Sequence, residues 1–231
     1  MMKKLAAMIL ATMMLFGACA QADYLAGRAA MDVGNIELAM KYWTEAAEQG
    51  DAESAYELGR MYYFGKAVKT DYDAAIEWYY KAYKLGSADA AYAIGEFYMY
   101  GMGVEWDYDA ALEWFLEAAD MGSAEAAFVI GEFYACGWSV EQDDTAQMEW
   151  YLKAAEMGHG MAARYVGELY ECGLGVEQDY AAAMEWYLKA ADMGDLSAMK
   201  LIGNLYEQGL GVEVNVELAQ KWYDKATEND D

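Results

Sequence analysis

Along residues 52–64 the small and apolar side chains recur at spacings of one helical turn. With Glu53 set at zero and 100° per residue, Ser54, Ala55, Leu58, Gly59, Met61 and Tyr62 fall between roughly 80° and 240°. Glu53, Tyr56, Glu57, Arg60, Tyr63 and Phe64 fall between roughly −80° and +40°. The segment therefore predicts a helix with one packed face. The pattern then restarts at a fixed interval of 36 residues, seen at Gly59, Gly95, Gly131, Gly167 and Gly203. Tyr62, Tyr98, Tyr134, Tyr170 and Tyr206 keep the same interval, as do Trp78, Trp114, Trp150, Trp186 and Trp222. A period of this size means one supersecondary unit copied along the chain, each copy completing its neighbour's core. The first set of positions stays alike from copy to copy and the second set changes. A face that packs on the next copy must repeat, whereas a face turned to solvent or a partner is free to vary. The strictly periodic tryptophans and tyrosines are accordingly read as core.

Each copy reads as two helices. The second, such as 72–84, begins behind Asp71, Asp107, Asp143, Asp179 or Asn215, side chains that accept a hydrogen bond from an orphan backbone N–H. It ends before Gly50, Gly86, Gly122, Gly158 or Gly194, where a left-handed residue closes a helix. Glycine-rich turns at 101–104, 173–176 and 209–212 join the two helices. The chain has no proline to interrupt them, and no stretch alternates as a strand would. Residues 23–50 read as an abbreviated copy with Tyr42 in the tryptophan register, Asn35 as cap and a loop reduced to Gly34-Asn35. Full copies run over 51–227, and an acidic tail follows at 228–231.

The first 22 residues differ. Lys3 and Lys4, an apolar run from Leu5 to Phe16 and then small residues read as a secretory signal peptide, too short to span a bilayer. Two processing routes are open: cleavage before Asp23, or lipid attachment at Cys19. Either places the protein outside the cytoplasm, periplasmic or secreted, at a membrane only in the lipidated case.

The pattern Ala-x-x-Ala-x-x-Leu-Gly-x-x-Tyr, then Gly-x-Gly-Val-x-x-Asp, then Ala-x-x-Trp-x-x-Lys-Ala-Ala-x-x-Gly resembles the Sel1-like repeat, a relative of the tetratricopeptide repeat. It is seen most cleanly over Gly167–Gly194 and extends from Asp51 to Thr227. Gly160, Leu196 and Met199 depart from it in the first helix, Ala67 and Ser139 in the loop, and Gln147 and Glu117 in the second helix. The resemblance implies an all-α fold, a right-handed α-solenoid of six helix-turn-helix repeats. It also implies that a concave face lined by the first helices binds proteins or peptides.

The residues expected on that face are Tyr56, Arg60, Tyr63, Phe64, Tyr92, Glu96, Met99, Tyr100, Phe128, Glu132, Arg164 and Glu168. The N-terminal part is aromatic. Towards the C-terminus the equivalent places hold polar residues such as Glu171, Lys200 and Glu207. Tyrosine anchors beside a polar half have the makeup of a recognition surface. The formal charge of −25 repels phosphate backbones and disfavours nucleic acid. It would steer a basic protein or peptide towards the chain. Nothing suggests self-association, and a monomer is expected.

Catalytic and metal chemistry have little to stand on. His159 is the sole histidine. It is expected to lie exposed in a turn between copies without the partner that orients a general base. No cofactor or metal set is visible, since zinc needs clustered His or Cys and the loop acids lack calcium-loop spacing. Cys136 and Cys172 hold the same place in adjacent copies. The oxidising exterior invites a bridge between them, while stacked helices about 8–10 Å apart resist a bond that wants Cα atoms within about 7 Å. The cysteine-rich branch of the Sel1-like family, with members described as penicillin-binding or β-lactamase-like, pairs cysteines within each repeat, a pattern missing here. The leading expectation is an exported, non-enzymatic interaction scaffold. A periplasmic immunity or inhibitor protein that neutralises a basic toxin is the narrower alternative. A β-lactam or cell-wall hydrolase, lacking a visible nucleophile–base pair, is the weakest.

Overall fold

The computed structural model describes residues 19–66 and 69–228. Those residues are helical throughout apart from caps and turns, with no strand among them. Six helices precede Met121: α1 (residues 19–32), α2 (Ile36–Glu48), α3 (Ala52–Phe64), α4 (Tyr72–Lys84), α5 (Ala88–Tyr100) and α6 (Tyr108–Asp120). Six follow it: α7 (Ala124–Cys136), α8 (Asp144–Glu156), α9 (Gly160–Cys172), α10 (Tyr180–Asp192), α11 (Leu196–Gln208) and α12 (Val216–Glu228). They gather into two compact units that divide between Met121 and Gly122. In each unit an odd-numbered helix packs along the even-numbered one that follows, and successive hairpins pack through α2 on α3 and α4 on α5, or α8 on α9 and α10 on α11. The chain is thus an all-α solenoid of helical hairpins.

The regularity comes from the caps. The Asp71, Asp107, Asp143, Asp179 and Asn215 side chains accept from backbone N–H groups of the second helices, as expected. Asn35 does the same for Leu38 in the abbreviated copy. The first helices are capped too, by Asp51, Ser87, Ser123, His159 and Asp195. Each cap satisfies one or two donors that would otherwise be orphaned and contributes about 1 kcal/mol. Glycine follows each helix up to α11, in the left-handed region both at Gly86 (φ 100°) after α4 and at Gly101 (φ 65°) after α5. One loop breaks the rule. Ser139 takes the second loop glycine's place and its φ, 61°. Ala67, the other such departure, lies outside the described residues, as do residues 1–18 of the leader expected at 1–22 and most of the acidic tail; residues 19–22 are the first of α1.

The core corrects one expectation. Trp78, Trp114, Trp150, Trp186 and Trp222 are only half-buried. Lysine ammonium groups lie over four of them, at 4.6 Å for Lys81 on Trp78 and 3.7 Å for Lys189 on Trp186. Tyr62, Tyr98, Tyr134, Tyr170 and Tyr206 are half-buried as well. The register rings that are buried lie one residue further on: Trp43, Tyr79 and Phe115 in the first unit, Tyr151 and Tyr187 in the second; the first-helix rings Phe97 and Phe133 are buried too. The reason is a close approach. Each register ring lies on the repeated glycine of the preceding helix, so that a methyl added at Gly59 would meet the Tyr79 ring at 2.5 Å and one at Gly95 the Phe115 ring at 2.7 Å. Gly131, Gly167 and Gly203 receive Tyr151, Tyr187 and Tyr223 in the same way. Gly27 receives Trp43, so even the abbreviated copy keeps the joint. Burying such a ring contributes about 2–3 kcal/mol. The tryptophans flank this joint half-buried, and Trp114 packs edge to face on Tyr80 and Tyr83.

Candidate functional site

The predicted face is set by α3 and α5 in the first unit and by α7 and α9 in the second. It is not the freely exposed surface that positional variability suggested. Of the twelve expected residues only Phe64 and Tyr100 are more than half exposed, at 54% and 62%; the rest are half-buried. Tyr56, Tyr92 and Phe128 pack on the register aromatics, and Tyr56, Arg60, Tyr63, Phe64 and Glu96 line a cavity.

In the first unit Tyr56, Arg60, Tyr63, Phe64 and Glu96 line one cavity of about 240 Å³, together with Tyr79, Ala93 and Phe97. Tyr56 lies 5.5 Å from Tyr79, Tyr63 5.8 Å from Phe97, and Tyr79 meets Phe97 edge to face at 5.7 Å. Phe64 closes one side, edge to face on Tyr63 at 4.8 Å, with the Arg60 guanidinium 5.9 Å and the Lys66 ammonium 5.4 Å from its centroid. Arg60 is held by Glu57 at 3.0 Å. Burial raises the Tyr56 hydroxyl to about 12 and pushes the Tyr79 hydroxyl higher still, so both are neutral donors at any physiological pH. Burial also holds the Glu96 carboxyl above the usual range, opposed by a hydrogen bond from Tyr92. Tyr92 itself packs on Phe115 at 5.4 Å. Met99 and Tyr100 continue the helix face but do not line the cavity.

In the second unit the same positions build something else. Phe128 stacks on His159 at 4.7 Å, Tyr151 at 5.3 Å and Tyr165 at 5.7 Å. The Tyr151 hydroxyl donates to Glu132, and that of Tyr187 to Glu171 at 2.6 Å. Arg164 lies over the Tyr165 ring at 4.3 Å, pairs with Glu168 and donates to Asp195 at 3.3 Å, the carboxylate that also caps α11. Glu132, Arg164 and Glu168 are therefore occupied within the unit. A wider concavity of about 460 Å³ opens beside them at the turns between hairpins, between His159, Glu125, Met161, Met193 and Asp195.

His159 corrects the reading of an exposed turn residue. Its Nδ1 accepts from the Ala162 N–H at 3.0 Å, making it the N-cap of α9. Its Nε2 lies 4.0 Å from Glu125, and only 13% of its side chain is exposed. Burial lowers its pKa, opposed by Glu125. A ring nitrogen spent on a cap is not free to take a substrate's proton. Cys136 and Cys172 are exposed and unbridged, as is Cys19. Burial and then Glu132 raise the Cys136 thiol, which makes it a poor nucleophile. Among the described residues no cluster of His, Cys, Asp and Glu has the makeup of a metal site.

Sequence reasoning missed Tyr79 and Phe97 in the cavity and the stack on His159. A signal existed for Tyr79. Trp43, Tyr79, Phe115, Tyr151, Tyr187 and Tyr223 are aromatic in every copy, but their identity alternates and the invariant tryptophan beside them drew the eye.

Six consecutive stretches match the Sel1 repeat, at residues 5–51, 52–87, 88–123, 124–159, 160–195 and 196–231. No curated protein matches the chain. Among solved structures, c5321 of uropathogenic Escherichia coli, described as a protective antigen displaying an SLR fold, is 30% identical with a TM-score of 0.80. The alignment covers 90% of this chain and 46% of that one, so this chain spans about half its length. A Sel1 repeat protein from Oxalobacter formigenes is 31% identical over 90% of this chain and 84% of its own, with a TM-score of 0.76. The immunity protein Pa5087 of Pseudomonas aeruginosa shares the fold at 20% identity, with a TM-score of 0.58 over 91% of this chain and 82% of its own. A repeat that accounts for every helix, with its glycine-on-aromatic joints and capped hairpins, leaves no second architecture to consider, and the chain belongs to the Sel1 repeat family, whose solenoids are scaffolds for protein–protein interaction.

Proposed function

We propose that this protein is exported and acts as a monomeric, non-enzymatic scaffold that holds a basic partner protein or peptide against the face of its first helices. The observation that carries this reading is the cavity between α3 and α5. Positions free to vary between copies there, Tyr56, Arg60, Tyr63, Phe64 and Glu96, converge around a concavity with the rings of Tyr79 and Phe97. Large rings with a polar tip give contact area at low entropic cost, the composition of interaction hot spots. The charge of −25 favours a basic partner. Export rests on the leader pattern at residues 1–22, with Cys19 as the alternative lipid anchor.

A narrower reading makes the protein an immunity or inhibitor protein against a basic toxin. The acidic surface favours it, and a solenoid of the same fold is an immunity protein in Pseudomonas aeruginosa. Affinity capture from a periplasmic extract, followed by titration of the captured protein, separates the readings. One basic partner bound tightly, with affinity falling steeply with salt, is the immunity outcome. Several weaker partners are the scaffold outcome. Failure to retain any protein through the first-helix face would refute both.

A further inference from the structure

We infer that the cavity of the first unit is a receptor for one lysine side chain of a basic partner. Three features of the cavity point to an ammonium. Its walls are rings: Tyr56, Tyr63, Tyr79 and Phe97 stand 5.5–5.8 Å apart, mostly tilted or edge to face, so that π faces as well as edges line the space. Such faces attract a cation within about 6 Å of the centroid. Beside them is Glu96, half-buried, bonded by Tyr92 and included in none of the ion pairs among the described residues. A desolvated carboxylate without a cation is destabilising, and an incoming ammonium reverses that. The cavity's own cation does not serve, because Arg60 is tied to Glu57 and directed over Phe64.

Size selects the occupant. About 240 Å³ is below the range of pockets that enclose drug-sized ligands or cofactors, about 300–1,000 Å³. It suits a single side chain. Lysine fits better than arginine, since its compact ammonium travels on a thin apolar stem that the rings can cover. The negative charge of the whole chain supplies long-range attraction, and the cavity supplies the point of capture.

This inference rests on the proposal that the first-helix face meets a protein, yet the two can fail separately. The probe is a blocked glycine–serine peptide with one central lysine, followed by NMR titration of the protein's tyrosine ring signals. Shifts confined to Tyr56, Tyr63 and Tyr79 are expected, and the same peptide carrying acetyl-lysine should bind at least tenfold more weakly. Glu96→Gln should weaken the lysine peptide at least fivefold. The control Glu77→Gln, an exposed acid on α4, should change it less than twofold, and Arg60→Gln should strengthen it. Glu96→Gln should melt at the same temperature as the parent or higher, because a buried charge is removed. Equal effects of Glu96→Gln and Glu77→Gln, or equal binding of the acetylated peptide, would overturn the inference. If a captured partner is lost on Tyr100→Ala but not on Glu96→Gln, the face binds and the lysine receptor is wrong. If the peptide fills the cavity and the partner ignores both substitutions, the receptor stands and the proposed partner face is wrong.

Discussion

The two units share one joint and differ in what they do with its outer edge. In the first, the register ring Tyr79 ends among other rings and lines a cavity. In the second, Tyr151 and Tyr187 end on carboxylates, and Arg164 is clamped between Glu168 and Asp195. A ring cavity with an unpaired acid is ready for a ligand. A network whose charges already answer one another is mostly spent on its own fold. On the proposed function, the same repeat separates binding from bracing by changing the first-helix residues that the joint does not use.

The largest expected effects test the shared joint. Tyr187→Ala should cost about 3–5 kcal/mol, as for a truncated buried aromatic, and Phe115→Ala a similar amount in the first unit. Trp186→Ala should cost about 1–2 kcal/mol, since that ring is half-buried and part of its contact is with the Lys189 side chain. Chemical denaturation measures all three. If Trp186→Ala were the costliest, the joint would have been placed one residue off.

A smaller change isolates the difference between the units. Tyr187→Phe removes the hydroxyl that donates to Glu171 at 2.6 Å and should cost about 1–2 kcal/mol. Tyr79→Phe removes a hydroxyl from a ring that lines the cavity and should leave stability within about 0.5 kcal/mol. Equal losses in denaturant midpoint would erase the contrast between a braced edge and one that borders a cavity. The loops offer a parallel test, because Ser139 holds the φ that Gly103 holds in the first unit. Ser139→Gly should stabilise by about 1 kcal/mol through relief of the left-handed strain. An unchanged midpoint would show that the serine's own contacts offset the strain.

Acid should act on the units in opposite directions. The His159 pKa is lowered in the folded state, chiefly by burial. The stability gained from keeping it neutral is complete above the unfolded value of about 6.5 and is lost as pH falls towards the lower folded value. Glu53 and Glu96 in the first unit have raised values, chiefly from burial. Protonation there relieves a penalty and strengthens the fold as pH falls through the carboxylate range, and Glu132 in the second unit shifts in the same direction, so the contrast between the units rests on His159. Hydrogen exchange of the first turn of α9, corrected for intrinsic rate, should quicken between pH 7.5 and 5.5 while the first turn of α5 does not. His159→Asn, a cap that does not titrate, should abolish the change. Persistence of the change in that variant would assign it to another group.

Much of this was legible in residues. The 36-residue interval determined the helices to within a residue or so, because caps and left-handed glycines leave local chemical marks at Asp71, Asp107 and Gly86. The twelve face residues were identified from their variability alone. Their burial was not, since whether Tyr56 lies free or folds onto Tyr79 depends on a neighbouring helix that no local pattern describes. His159 was misread for the same reason. A turn between copies is ordinarily wet, but Phe128, one repeat earlier, supplies the ring that covers it.

The central claim is that partners meet the first-helix face. Its most direct test is a titration of the captured partner, at two salt concentrations, against Tyr100→Ala and against the second-helix reversals Glu149→Lys and Glu185→Lys. Tyr100 is 62% exposed, so its removal should leave the melting temperature nearly unchanged. It should weaken binding by about 2 kcal/mol, roughly thirtyfold, as for an interface anchor, while the second-helix reversals change affinity far less at the higher salt. The opposite ranking, with Glu149→Lys and Glu185→Lys abolishing binding and Tyr100→Ala sparing it, would contradict the account and move the partner to the outer helices.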